Sequence, residues 1–178
     1  MIQIKIDSNL RLELTDESHA ESIFNLVDNN RAYLKQWLPW VDSTQIVENT
    51  KEYIKMTLKR YAENNGFDCS IIFNDEIAGL IGLHKIDHSN KITSIGYWLG
   101  EDYQHKGIMT KTVVALLNYC FNSLELNKIE LKCAIENYRS QAIPERLNFK
   151  KEGIIRQGEF LNGKYVDLFL YSLLKEEW

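Results

Sequence analysis

The spacing of apolar residues changes along the chain, and each change marks a new element. Leu10–Leu14 alternates apolar and polar, which predicts a short strand. Asp16 and Ser18 each offer an N-cap behind it, and Glu21 stands three residues after Ser18 in a capping-box arrangement. The helix opened there carries Ile23, Leu26, Val27 and Leu34 on one face, until Trp37-Leu38-Pro39-Trp40-Val41 interrupts it. A second helix over residues 44–64 shows its stripe in Val47, Ile54, Leu58 and Tyr61. Asn64-Asn65-Gly66 ends it.

The period then shortens. Phe67–Phe73 and residues 77–87 and 91–99 are rich in β-branched and aromatic side chains. Asn74-Asp75-Glu76 and His88-Ser89-Asn90 separate them as hairpin-like turns, so three antiparallel strands follow in series. A polar loop over 100–107 leads into a helix with Val113, Leu116, Leu117 and Cys120 at i, i+3, i+4 and i+7. Residues 129–135 form a further strand. Residues 137–147 read as a helix containing Pro144, which removes an internal hydrogen bond, and Asn148 can take the left-handed closing position. Two last strands near 150–158 and 165–174 flank the turn Leu161-Asn162-Gly163-Lys164. With no repeat or linker, the order predicts one mixed α/β (α+β) domain over residues 1–178.

Composition narrows the function. A chain of 178 residues can bury roughly two-thirds of its unfolded surface. Its net charge of −4 argues against a nucleic-acid partner, which needs a basic face. Apolar runs are too short to span a membrane, and the first residues lack a secretory pattern, so a cytoplasmic protein is expected. Cys69, Cys120 and Cys133 have no paired spacing and lie in apolar runs, as buried thiols in a reducing compartment would. His84, His88 and His105 lack metal-ligand spacing, so no metal is expected.

The segment from Tyr97 to Thr110 carries the chemistry. A strand, a short loop and a helix start present first-turn amides without intrahelical partners, a site for a diphosphate. Gly107 allows close backbone approach, while Gln104 and Lys106 add donors. Gln104-x-x-Gly107-x-Met109 resembles the acetyl-CoA loop of the GNAT N-acetyltransferase superfamily, Arg/Gln-x-x-Gly-x-Gly/Ala, departing from it at Met109. Ile95-Gly96-Tyr97-Trp98-Leu99, Lys132-Cys133 before Asn137, and Glu159-Phe160-Leu161-Asn162-Gly163 are similar to the RimL branch, which acetylates the N-terminal Ser of the ribosomal stalk protein. The likeness spans nearly the whole chain.

The resemblance implies a mostly antiparallel, twisted sheet that splays at the acetyl-CoA site, flanked by four helices. It places Trp98 and Leu99 beside the cofactor and Gln104, His105, Lys106, Gly107, Ile108, Met109 and Thr110 around its phosphates. Asn137 and Ser140 match positions near the pantetheine. Ser140 resembles the residue that protonates the departing thiolate, and Glu159 the general base. Tyr33, Trp37 and Trp40 fall where the superfamily builds its acceptor groove. Each also has a plainer reading: Glu159 as a solvated carboxylate near a turn, Asn137 as an N-cap, Ser140 as a first-turn residue, the aromatics as core.

A thioester is already activated, so direct transfer to an amine needs no metal and no covalent intermediate, and Cys133 reads as a packing residue. Three functions remain open. The first is acetylation of a protein N-terminus, of a ribosomal protein with a Ser or Ala start. The second is acetylation of a small amine such as a polyamine, amino acid or aminoglycoside, for which Asp42, Glu48 and Glu52 offer acidic groups. The third is a non-catalytic acyl-CoA-binding module. A homo-oligomer formed through a strand edge is open as well.

Overall fold

Why the chain forms one sheet follows from its turns. In the computed structural model, which describes residues 2–178, the backbone at Asn74 and Asp75 has φ of 51° and 65°, and at Asn162 and Gly163 of 50° and 82°. Those are two-residue turns whose twist matches paired strands. They close the hairpins β3 (Phe67–Phe73) to β4 (Glu76–Leu83) and β7 (Lys150–Leu161) to β8 (Lys164–Leu174). With β1 (Gln3–Lys5), β2 (Leu10–Leu14), β5 (Ile92–Leu99) and β6 (Lys128–Ala134), they build an eight-stranded sheet in the order β1-β2-β3-β4-β5-β6-β8-β7. All neighbours are antiparallel except β5 and β6.

Helices cover both faces. On one side, Ala20 and Ile23 of α1 (Ala20–Asn29) and Ile54 of α3 (Val47–Ala62) pack on Leu80 of β4. On the other, Ile108, Val113, Leu116 and Leu117 of α4 (Ile108–Asn118) enter the larger core with Leu12, Cys69, Ile81 and Ile95. Ile143 of α5 (Tyr138–Arg146) joins the same core. Among the described residues the α-helices number five, where the family resemblance implies four. Asn30, at φ −120°, leaves the helical region and splits off the single turn α2 (Arg31–Leu34). The short strand β1, too brief to show alternation, is added at the sheet edge.

The three cysteines are free and buried, as their apolar surroundings predicted. Asn148 closes the chain after α5 at φ 59°, the left-handed conformation expected of it.

Candidate active site

Strands β5 and β6 run side by side only from Ile92↔Lys128 to Ile95↔Leu131, although β5 continues to Leu99 and β6 to Ala134. Beyond that point they splay. Ser94 accepts from the His84 amide and the Gly100 amide donates to Ala78, so the even-numbered residues of β5 direct their polar groups toward β4. Alternation along the strand then turns the amides and carbonyls of Tyr97 and Leu99 into the gap. Trp98 is arranged differently. Its backbone pairs with Leu80, and its indole lies 5.8 Å from the ring of Trp40 on the α1/α3 side of the sheet.

At the open end of the gap stands the start of α4. Gly107 is its N-cap at φ 72°, with no side-chain cap, and a Cβ there would meet nothing within 4 Å. Glycine is therefore needed for its backbone conformation rather than for space. Lys111 donates the first closing bond, to Gly107, so the amides of Ile108, Met109 and Thr110 precede every bond of the helix and point outward. The side chains of Ile108 and Met109 go the other way, 2% and 8% exposed in the core. Met109, the departure from the family pattern, thus fills core volume while its amide stays at the helix mouth. His105 is exposed, Lys106 lies with its Nζ 5.6 Å from the Tyr103 ring centroid, and Thr110 Oγ1 accepts from Arg146 at 2.8 Å.

A cavity of about 990 Å³ joins the gap to the α1/α3 face of the sheet. Its lining brings together Trp98, Leu99, Gln104, Met109, Asn137, Ser140 and Glu159 with Tyr33, Trp37 and Trp40. His105, Lys106, Gly107, Ile108 and Thr110 lie outside it, at the helix mouth. The aromatic segment is held by Arg31, whose guanidinium donates to the carbonyls of Val41 and Thr44. Arg139 faces the Tyr33 ring at 5.8 Å.

Pro144 explains how Ser140 is placed. Lacking an N–H, it cannot donate to the Ser140 carbonyl four residues earlier. The Tyr97 hydroxyl donates to that carbonyl instead, at 3.1 Å, and reaches Ser140 Oγ at 3.5 Å. Asn137 caps the same helix by accepting from the Ser140 amide at 3.1 Å, so the plain N-cap geometry is present inside the cavity wall. Burial pushes the Cys133 thiol up to about 11, against a lowering by the neighbouring Ser140 hydroxyl. At neutral pH Cys133 is a protonated thiol, a poor nucleophile.

Glu159 sits past a bulge in β7, where the register with β8 shifts between Ile155 and Glu159 and Gln157 adopts φ 49°. The bulge lets the carboxyl join the cavity lining from an edge strand. Desolvation raises its pKa above the ordinary carboxylate range, with no cation opposing the shift.

Four residues at the site have no assigned role in the sequence pattern: Tyr97, Arg31, Arg139 and Arg146. Tyr97 carried a signal, since it lies within the strand assigned to the cofactor, but which residues of that strand face the gap depends on pairing with β4. Among the described residues no cluster of three or more His, Cys, Asp or Glu is arranged to hold a metal, and no helix is long and apolar enough to cross a membrane.

The profile of the family described as "Acetyltransferase (GNAT) domain" matches residues 9–150. The ribosomal-protein-serine acetyltransferase of Escherichia coli (strain K12) is 32% identical over 169 residues, covering 95% of this chain and 94% of that protein. The spermidine N(1)-acetyltransferase of Vibrio cholerae is 25% identical, with 97% of each covered. A solved structure of RimL, a ribosomal L7/L12 alpha-N-protein acetyltransferase in complex with coenzyme A, superposes with a TM-score of 0.95 at 30% identity, covering 99% of this chain and all 100% of that one. Coenzyme A there is in disulfide linkage with a cysteine.

Proposed function

We propose, for a chain that belongs to the GNAT acetyltransferase family and is an acetyl-coenzyme A-dependent N-acetyltransferase, that the acceptor is the N-terminal α-amine of a protein, a ribosomal protein beginning with Ser or Ala. The observation that carries this reading is the continuity of one cavity from the β5/β6 gap to an aromatic-walled groove. A gap and helix mouth suit a diphosphate on an extended arm, and the groove suits an extended peptide end. Full-length similarity to a ribosomal-protein-serine acetyltransferase supports the same acceptor. A ribosomal acceptor and three free thiols fit the cytoplasm.

The residues present fit the cofactor. The amides of Ile108, Met109 and Thr110 would hold its phosphates, and the polar groups of Tyr97 and Leu99 its pantetheine arm. Bound there, acetyl-coenzyme A supplies an activated thioester. The enzyme's own part is to hold the amine against it, which supplies much of the acceleration. An α-amine titrates near ~8, so Glu159 has one proton to remove from a partly charged nucleophile. Its raised pKa brings it closer to the working pH. The Ser140 hydroxyl, held by Tyr97 through the Ser140 carbonyl, would pass its proton to the departing sulfur and regain one from solvent. An amide facing the gap, at Tyr97 or Leu99, polarises the carbonyl oxygen.

Small-amine acetylation remains the second reading, favoured by similarity to a spermidine acetyltransferase and by Glu52 in the cavity lining. The test is to follow thiol release from acetyl-coenzyme A with Ser- and Ala-starting peptides, polyamines and aminoglycosides. Preference for the peptides is expected. Turnover of polyamines or aminoglycosides alone would replace this acceptor with a small amine, and tight coenzyme A binding with no turnover on any of them would leave no catalytic role.

A further inference from the structure

On the face of the sheet that carries α1 and α3, two glycines stand side by side in register, Gly82 on β4 and Gly96 on β5. Each is overlaid by a polar side chain, Asp68 of β3 over Gly82 and His84, one residue past the end of β4, over Gly96. A Cβ on Gly82 would lie 1.8 Å from Asp68 Oδ1, and one on Gly96 would lie 2.8 Å from His84 Nε2. The absent side chains let the Asp68 carboxylate and the His84 imidazole lie flat on the sheet, one step and two steps toward the gap. Gly96 is the first β5 residue past Ile95, where pairing with β6 stops. All four residues line the cavity that holds Ser140, Cys133 and Glu159.

Part of this cluster is structural. Asp68 Oδ2 accepts from the Tyr53 hydroxyl at 2.9 Å and from Arg60 at 2.7 Å, which fastens α3 to β3. Two atoms are not used that way. Asp68 Oδ1 accepts no hydrogen bond among the described residues, although Asp68 is only 8% exposed. His84 meets Ser94 Oγ through Nδ1 at 2.9 Å, which leaves Nε2 without a partner among the described residues. Neither atom has a place in the chemistry assigned to Glu159 and Ser140.

We infer that Asp68 Oδ1 and His84 Nε2 recognise the first side chain of the acceptor, and that the group they take is a hydroxyl, as on an N-terminal serine. The inference rests on the protein N-terminus being the acceptor. Neighbouring positions on paired strands lie ~5 Å apart, a spacing one hydroxyl bridges by donating to the carboxylate and accepting from the imidazole. Nε2 carries the hydrogen it needs to donate in the tautomer whose Nδ1 accepts from the Ser94 hydroxyl. A second ammonium, as on a polyamine, gains less here. Arg60 already neutralises Asp68, and Lys132 also acts on His84. An alanine side chain would cover both atoms and satisfy neither, the case in which a polar site rejects an apolar analogue.

The measurement is kcat/KM for two peptides that differ only in a Ser or Ala start, with wild type and with His84→Ala, His84→Gln and Asp68→Asn. Wild type is expected to favour serine by about tenfold or more. In His84→Ala the ratio should fall to within about twofold of unity, and His84→Gln, which keeps a donor, should recover part of it. A ratio within one protein is independent of how much of it folds, so a destabilised Asp68→Asn still reports. Equal rates for the two peptides in wild type, or an unchanged ratio in His84→Ala, would overturn this recognition while leaving the peptide acceptor intact. Turnover of neither peptide would remove the acceptor class, and the inference with it.

Discussion

Glu159 reaches the cavity only because three residues of β7 bulge out of register just before it, and the surrounding protein then disfavours its charge. That has a cost in stability. Its folded-state pKa stands above the unfolded value, so between the two the native state binds the proton more tightly. Stability from this group therefore falls as pH rises through that window. Glu159→Gln should melt at pH 7 at a temperature equal to or above wild type, with the difference vanishing below about pH 4. The same variant should lose about 10²- to 10⁴-fold in kcat. Its kcat/KM should also lose the limb in which activity falls as Glu159 takes up a proton, leaving the limb of the acceptor amine. Near-normal kcat with that limb unchanged would take the base role from Glu159. Sequence alone matched this residue to a role only through family likeness. Its position near a turn reads as solvated, and the bulge that buries it follows from pairing with β8.

At the scale of elements, α4 and α5 show two ways of presenting a helix start. α4 opens on a glycine in the left-handed region and leaves its first amides without a side-chain cap. α5 opens on Asn137, whose side chain satisfies one of its own amides. The spacing of Val113, Leu116, Leu117 and Cys120 identified the first helix, and Asn137 and Asn148 bounded the second. Pro144 was visible as a missing donor, but the acceptor it orphans is served by Tyr97, 43 residues earlier in the chain. Tyr97→Phe should therefore destabilise the protein by about 1–3 kcal/mol, because the Ser140 carbonyl loses its donor. In a Pro144→Ala background the cost should shrink, since the alanine N–H can serve that carbonyl. Denaturant melts of the two single variants and the double variant decide it. Strictly additive costs would show that the two donors do not share an acceptor.

At the scale of the whole molecule, the groove is closed by parts distant in sequence. The amide of Asn162, at the tip of the β7–β8 hairpin, donates to the Lys35 carbonyl at 3.0 Å beside the aromatic segment 37–41. Asn162→Gly keeps the turn's positive φ and removes that side-chain link together with a longer one to the Gln36 carbonyl at 3.5 Å. Steady-state kinetics should show KM for the acceptor raised by about fivefold, the equivalent of ~1 kcal/mol, with KM for acetyl-coenzyme A within about twofold of wild type. A change confined to acetyl-coenzyme A would place the hairpin on the cofactor's side of the cavity.

The sequence by itself determined what depends on neighbours along the chain. The four longer helices and every strand but β1, the turns at Asn74-Asp75 and Asn162-Gly163, the left-handed Asn148 and the buried thiols each follow from local spacing and backbone preference. Tertiary structure alone decided where β5 leaves β6, which of its residues face the gap, how Asp68 and His84 come to lie over Gly82 and Gly96, and that Tyr33, Trp37 and Trp40 meet Glu159 in one cavity. A repeating pattern records which face of an element is apolar. It carries no record of which distant segment will pair with that element, or where the pairing will stop.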